Sequence, residues 1–161
     1  MSPLSILILW VHLFSAIVLV GGSFFIWFVV WPASYKVAAD EAERTRMVGR
    51  VAKRFSYFTH ATVAALVLSG LYLAAPYIED PALVLSTLRG EVLLAKVVVV
   101  AATISLMYAN NIYHGRKIMR LAAAGRLDDV KRVRRITHLA SYLTLLLLVV
   151  ITILGATLVG L

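Results

Sequence analysis

The sequence contains no cysteine. Disulfide bonds, iron–sulfur clusters, thiolate zinc sites and a cysteine nucleophile are therefore excluded, and so is the softest protein ligand for copper(I). Acidic residues are also scarce, with 8 Asp and Glu against 16 Lys and Arg and a net charge of +8. No nucleic-acid recognition motif accompanies this charge, so we expect no nucleic-acid partner. We interpret the charge as a signal of membrane topology and of contact with anionic lipid headgroups.

Long stretches of the chain lack charged residues altogether. Hydrophobic residues make up 61% of the 161 residues, above the roughly 45–50% that is usual in soluble domains. A helix needs about 20 apolar residues to cross the hydrocarbon core of a bilayer, and four stretches are long enough. The predicted fold is all-α, a single integral membrane domain of residues 1–161. Its four transmembrane helices form an up-down-up-down bundle, with spans at 4–31, 55–78, 92–114 and 136–160.

Basic residues are concentrated in two of the three loops between these spans. The first and third loops carry six and eight of the 16 Lys and Arg residues. By the positive-inside rule, both loops lie in the cytoplasm and both termini lie on the non-cytoplasmic side. We therefore expect a multi-pass protein of the plasma (cytoplasmic) membrane of a prokaryote.

Histidine is the main candidate for chemistry, because polar groups within a membrane span are costly and often functional. Four histidines lie within or at the ends of the predicted spans: His12, His60, His114 and His138. Helical bundles bind haem between histidines at matching depth on facing helices, so we expect His60 to pair with His138 or His114. Arg54 or Arg135 would then hold the haem propionates. The competing interpretation of each ring is packing, an interhelical hydrogen bond or contact with headgroups.

The third span carries a polar stripe. Its members follow one another at intervals of seven, four, four and three residues: Lys96, Thr103, Met107, Asn111 and His114. This spacing places them on one helical face, which we expect to point into the bundle. Lys96 lies at a depth from the outer side similar to that of His12. These two residues are therefore predicted to share an outer-leaflet site.

Short segments in several spans form a further pattern. In the first span these are Trp10-Val11-His12-Leu13, Gly21-Gly22-Ser23-Phe24 and Trp31-Pro32. Later in the chain they are Arg54-Phe55-Ser56, Ser69-Gly70-Leu71-Tyr72, Leu94-Ala95-Lys96 and Asn110-Asn111. Together they resemble the copper-resistance protein D (CopD) superfamily of four-helix membrane proteins. The layout, with Tyr113-His114-Gly115 before Arg116, is also similar to the membrane-embedded, haem-binding protoporphyrinogen oxidase class. That resemblance implies a functional role for His12 and Lys96.

Three hypotheses for function follow. The leading one is a haem b-binding membrane redox protein that transfers electrons or oxidises a small substrate such as a quinone, superoxide or a porphyrinogen. Its candidate metal ligands are His12, His60, His114 and His138. The second is a copper-binding or copper-transporting protein of the CopD type, using His12, Met107 and other imidazoles. The third is a non-catalytic subunit of a larger membrane complex or a homo-oligomer. Whether the chain is an enzyme, such as a membrane oxidoreductase, stays open among these hypotheses.

Overall fold

The computed structural model describes residues 2–160, apart from the side chain of Ile78. In chain order the helices are α1 (Pro3–Val37), α2 (Glu41–Leu73), α3 (Ala75–Glu79), α4 (Ala82–Ser86), α5 (Leu88–Ala123) and α6 (Leu127–Gly160). The four helices α1, α2, α5 and α6 are long and apolar enough to cross a membrane, and α3 and α4 connect α2 to α5. The predicted all-α fold with four membrane-length helices is therefore confirmed.

Side-chain caps fix where three of the long helices begin. Ser2, Asp40 and Thr87 occupy the N-cap positions of α1, α2 and α5. Each side chain accepts a hydrogen bond from the backbone N–H three residues further on, at 2.7–3.1 Å. Such caps satisfy a donor that the first helical turn leaves without a partner. These starting points determine how far along each helix, and therefore how deep in the bundle, a given side chain lies.

The long helices pack mainly as two pairs, α1 along α2 and α5 along α6. Smaller interfaces join α1 to α6 and α2 to the C-terminal part of α5. A small apolar cluster ties the pairs together at mid-bundle. Leu19, Val63 and Leu148 are buried in it, with Ile104 and Met107 packed against them. All four long helices therefore contribute to one core.

Polar residues are prominent among the buried positions, and many large apolar residues face outward. Phe14, Ile17 and Leu68 are 67–69% exposed. Buried hydroxyl groups find a hydrogen-bond acceptor within their own helix. Each donates to the backbone carbonyl four residues earlier, as is the case for Thr59, Ser69, Thr103 and Thr144. An apolar exterior with small polar residues between the helices is the arrangement that a lipid solvent favours.

Two π-helical segments interrupt the long helices, at Ile26–Val30 in α1 and at Asn110–Gly115 in α5. A π-helical turn contains an extra residue, so it rotates the side chains that follow it. In α5 the structure buries Asn110 and exposes Asn111. The prediction that Asn111 points into the bundle was therefore wrong, because Asn110 makes the polar contacts with α6 that the prediction gave to its neighbour.

The helices α2 and α6 begin well before the predicted spans 55–78 and 136–160. They start at Glu41 and Leu127, so the basic segments that precede the apolar spans are helical as well. Charged side chains are thereby held in fixed positions along continuous helices instead of in loose loops. The limits of the membrane spans and the side on which the termini lie stay predictions.

We expect Gly22→Ala to destabilise the bundle by about 1 kcal/mol or more, the range found for overpacked sites. A Cβ at Gly22 would collide with the ring of Phe55 on α2, so the α1–α2 contact would have to open. The matched control is Gly21→Ala, since a Cβ at that position meets nothing within 4 Å. Thermal unfolding in detergent should show a lower midpoint for Gly22→Ala alone, and equal midpoints for both variants would contradict the packing argument.

Candidate functional site

The four histidines lie at four different interfaces of the bundle. His12 on α1 bonds to α2, and His60 on α2 bonds to α5. His114 bonds within α5 to an asparagine that reaches α6, and His138 on α6 packs on α1. In the described part of the chain, no three His, Asp or Glu side chains come together as a metal-binding group. Each imidazole thus has its own partner. The predicted pairing of His60 with His138 or His114 around a common centre is not present.

The imidazole of His12 is held by Ser69. The His12 Nδ1 and Ser69 Oγ atoms are 2.8 Å apart. The Ser69 hydroxyl proton is already donated to the carbonyl oxygen of Ala65, at 2.5 Å. Since a hydroxyl has only one proton, Ser69 Oγ accepts from the Nδ1–H of His12. The Nε2 atom is then left with a free lone pair, and this is how metal-ligating histidines are usually oriented.

Lys96 lies at the same end of the bundle as His12. Its Nζ lies 3.3 Å from where a Cβ on Gly155 of α6 would stand. On the other side, a Cβ on Gly70 would lie 3.4 Å from Cε1 of His12. The two glycines therefore leave room for the two functional side chains.

Each long helix contributes to this arrangement, which we call the His12 site: His12, Ser69, Gly70, Lys96 and Gly155. It combines a free imidazole lone pair with an ammonium group inside the predicted spans. Such a site can coordinate a metal ion through the imidazole, or bind a group that carries negative charge near the ammonium. The structure thus places His12 and Lys96 at the same end of the bundle, on α1 and α5.

Asn110, and not the predicted Asn111, makes the polar contacts between α5 and α6. Its Nδ2 donates to the carbonyl oxygen of Thr137 at 3.4 Å and to Ser141 Oγ at 3.1 Å. Its Oδ1 lies 3.0 Å from His114 Nδ1 and therefore accepts from it. The His114 ring is thus also protonated at Nδ1, with Nε2 free. An amide inside an apolar helix indicates an interhelical hydrogen bond. Because Asn110 and Asn111 are adjacent, the sequence alone does not show which of them forms it.

Aromatic side chains surround the remaining two histidines. His60 is exposed on the surface of α2, and its Nδ1 lies 2.7 Å from the hydroxyl of Tyr108, with the two rings stacked at 5.3 Å. The His138 ring contacts Trp27 and Trp31 edge-on, with ring centroids 5.0 Å and 4.6 Å apart. Both rings are thus anchored by aromatic neighbours.

An ionic cluster lies beside His138, at the start of α2 and α6. Arg134 is buried, forms an ion pair with Glu41 and donates to Thr45 Oγ1 at 2.6 Å. Glu41 also pairs with Arg44. Of the two predicted propionate ligands, Arg135 lines an open pocket with His138 and these charged residues. The second one, Arg54, is exposed and does not line that pocket.

We expect the ring of His12 to be protonated at Nδ1, and we expect Ser69→Ala to release this preference, since the acceptor for that N–H is removed. Nitrogen NMR of histidine-labelled protein in detergent distinguishes the two tautomers. Ser23→Ala is the matched control, because the Ser23 hydroxyl bonds to the carbonyl of Leu19, at 2.6 Å, and to no imidazole. A His12 ring protonated at Nε2 in the unmodified protein would contradict this assignment.

The family model described as Copper resistance protein D matches residues 49–157 of the chain. The match includes Ser69, Lys96 and Gly155 of the His12 site, and it begins after α1, so His12 itself lies outside it. No curated protein and no solved structure matches the chain.

Proposed function

Because the chain belongs to the copper resistance protein D (CopD) family, we propose that it is a membrane protein that binds copper within its helical bundle, with His12 as a ligand. The observation that carries this proposal is the 2.8 Å hydrogen bond between His12 and Ser69. It holds the ring in the tautomer that leaves Nε2 free for a metal. Imidazole nitrogen is a suitable ligand for copper, and the chain has no thiolate to compete with it.

Met107 is the second donor that supports copper as the substrate. It packs against the core cluster at the level of Leu19, which lies two turns along α1 from His12. A thioether is a soft ligand that suits copper(I). We infer that copper bound at His12 has a further donor deeper in the bundle, and that the two positions mark a path instead of one coordination sphere.

Lys96 opposes the binding of a metal cation at His12. Like charges repel over a long range in a protein, and two unit charges would still repel by about 1.7 kcal/mol at a separation of about 10 Å and an effective dielectric constant of 20. We therefore propose that Lys96 weakens the retention of copper, so that the ion is held loosely enough to move on. Copper(I) carries a single charge, and it experiences less of this repulsion than copper(II).

The test is copper binding by the purified full chain in detergent. Copper per chain is measured by elemental analysis, and affinity by competition with a copper(I) chelator. We expect His12→Ala to lose most of the bound copper and Lys96→Met to bind about tenfold more tightly. His60→Ala is the matched control, since its ring is exposed and bonded to Tyr108. Equal affinities for the unmodified protein, His12→Ala and His60→Ala would refute the proposal.

Haem b is the second candidate ligand, and the observation that favours it is the position of Lys96 at the same end of the bundle as His12. An ammonium group near a free imidazole suits a haem, whose iron takes the ring nitrogen and whose propionates are negative. His12 would hold such a group better than a pair formed by His60 with His138 or His114, because those rings have separate neighbours. When bound, haem would supply one-electron chemistry for a small redox substrate such as a quinone.

A visible spectrum of the same purified samples separates the two candidates. A Soret band that is lost in His12→Ala and kept in His60→Ala supports haem. A protein that shows no Soret band, even after haem is added, and binds copper through His12 supports the copper proposal. A non-catalytic membrane subunit would show neither ligand and no effect of either substitution.

We also propose that the protein lies in the plasma membrane of a prokaryote with its two basic loops in the cytoplasm. Since the chain has no cysteine, single cysteines can be introduced without background. An impermeant maleimide should label Ser2→Cys in intact spheroplasts, and should label Ala124→Cys only after the cells are opened. The opposite pattern would show that the positive-inside rule fails for this chain.

A further inference from the structure

We propose that an open pocket beside His138, which we call the basic pocket, binds a phosphate group at the level of the lipid headgroups. Its volume is about 330 Å³. Six of its charged or polar side chains come from the end of α1 and the beginnings of α2 and α6: Tyr35, Glu41, Arg44, Lys131, Arg134 and Arg135. This proposal is independent of whether the His12 site binds copper or haem.

The charge of the basic pocket is strongly positive. It has four cationic side chains and only one carboxylate, that of Glu41. The two oxygens of this carboxylate are already used, one by Arg134 and the other by Arg44. The carboxylate is thus held between two guanidinium groups. Lys131 pairs with the exposed Asp128, and Arg135 forms no ion pair in the described part of the chain. This excess of positive charge favours an anion as the ligand.

Arg44 provides a second observation that points to a ligand. Its Nε atom is buried and has no hydrogen-bond partner among the described residues. A buried donor without an acceptor costs about 1–3 kcal/mol, so a bound acceptor would remove a real penalty. The guanidinium is also fixed in place, because it lies over the ring of Tyr35 at 4.1 Å. A rigid guanidinium with free N–H groups is well suited to phosphate oxygens.

Neighbouring side chains give the pocket its shape and its exposed donors. The Arg134 guanidinium lies over the ring of Trp31, 5.3 Å from its centroid, and so forms a fixed wall. Arg135 is exposed at the mouth of the pocket. Lys131 pairs only with Asp128, whose side chain is 99% exposed, at 3.2 Å. Water already solvates that carboxylate fully, so Lys131 can exchange it for a phosphate at little cost.

The depth of the pocket indicates the source of the phosphate. The charge-free run of α6 begins at Ile136, directly after Arg135, and Trp31 and Tyr35 mark the corresponding end of α1. Tryptophan and tyrosine concentrate at the membrane interface, and basic pockets between membrane helices bind anionic headgroups there. The pocket can hold a phosphate with a small attached group but not acyl chains, which would lie along the exposed apolar surface of the helices. A free phosphate shares the same recognition chemistry.

The experiment titrates the purified full chain in detergent with three probes: dihexanoylphosphatidylglycerol, dihexanoylphosphatidylcholine and inorganic phosphate. Tryptophan fluorescence reports binding, since Trp31 contacts Arg134 in the pocket wall. We expect saturable binding of phosphatidylglycerol. Arg135→Gln should weaken it at least tenfold, and Arg44→Lys, which keeps the charge but lacks the Nε–H, should also weaken it. Arg132→Gln is the matched control, because Arg132 is exposed on the same helix and does not line the pocket.

The probes distinguish the sources of the phosphate. Binding of phosphatidylglycerol without binding of inorganic phosphate assigns the pocket to a lipid headgroup, and saturable binding of both assigns it to phosphate in general. Equal weakening by Arg135→Gln and Arg132→Gln would show a response to net charge alone and would overturn the proposal. Phosphatidylcholine that binds as tightly as phosphatidylglycerol would overturn it as well, since its headgroup has no net charge.

Discussion

The lack of water in the hydrocarbon core is the constraint on which this structure depends. A polar group inside the bundle must find its partner in the protein. Hydroxyl groups do so by bonding to the carbonyl one turn earlier in the same helix, as Ser69 and Thr103 do. A hydroxyl that has already given its proton can only accept, and this is why Ser69 determines the tautomer of His12. The chemistry of the site thus begins with a rule that applies to the whole bundle.

The same constraint explains why the histidines are distributed over four interfaces. The rings of His12 and His60 each bond across a helix contact, and His114 bonds to Asn110, which reaches α6. His138 packs between Trp27 and Trp31. The rings therefore contribute to the specificity of helix packing in a bundle with few large buried apolar residues. Among the described residues, the His12 site combines such a ring with a charged group inside the predicted spans, Lys96.

The four helices could be predicted because runs of apolar residues without charge are a local property of the sequence. The family resemblance rested on short local segments as well, and the match over residues 49–157 confirms it. Partners across helices could not be predicted in this way. Glu41 and Arg134 are 93 positions apart in sequence, and only the tertiary fold brings the beginnings of α2 and α6 together there. The choice of Asn110 over Asn111 likewise depends on a π-helical turn, which has no clear sequence signal.

The π-helical segment Ile26–Val30 has a consequence for how the length of α1 can change. Its wide turn contains one residue more than an α-helical turn. Deleting a single residue there would restore ordinary helical geometry while Trp31 and Tyr35 kept their alignment with α6. The same deletion between Pro3 and Phe25 would rotate every preceding side chain by about 100°. Length variation among natural homologues should therefore be tolerated at this turn, which acts as a spacer between the half of α1 that carries His12 and the half that carries Trp31 and Tyr35.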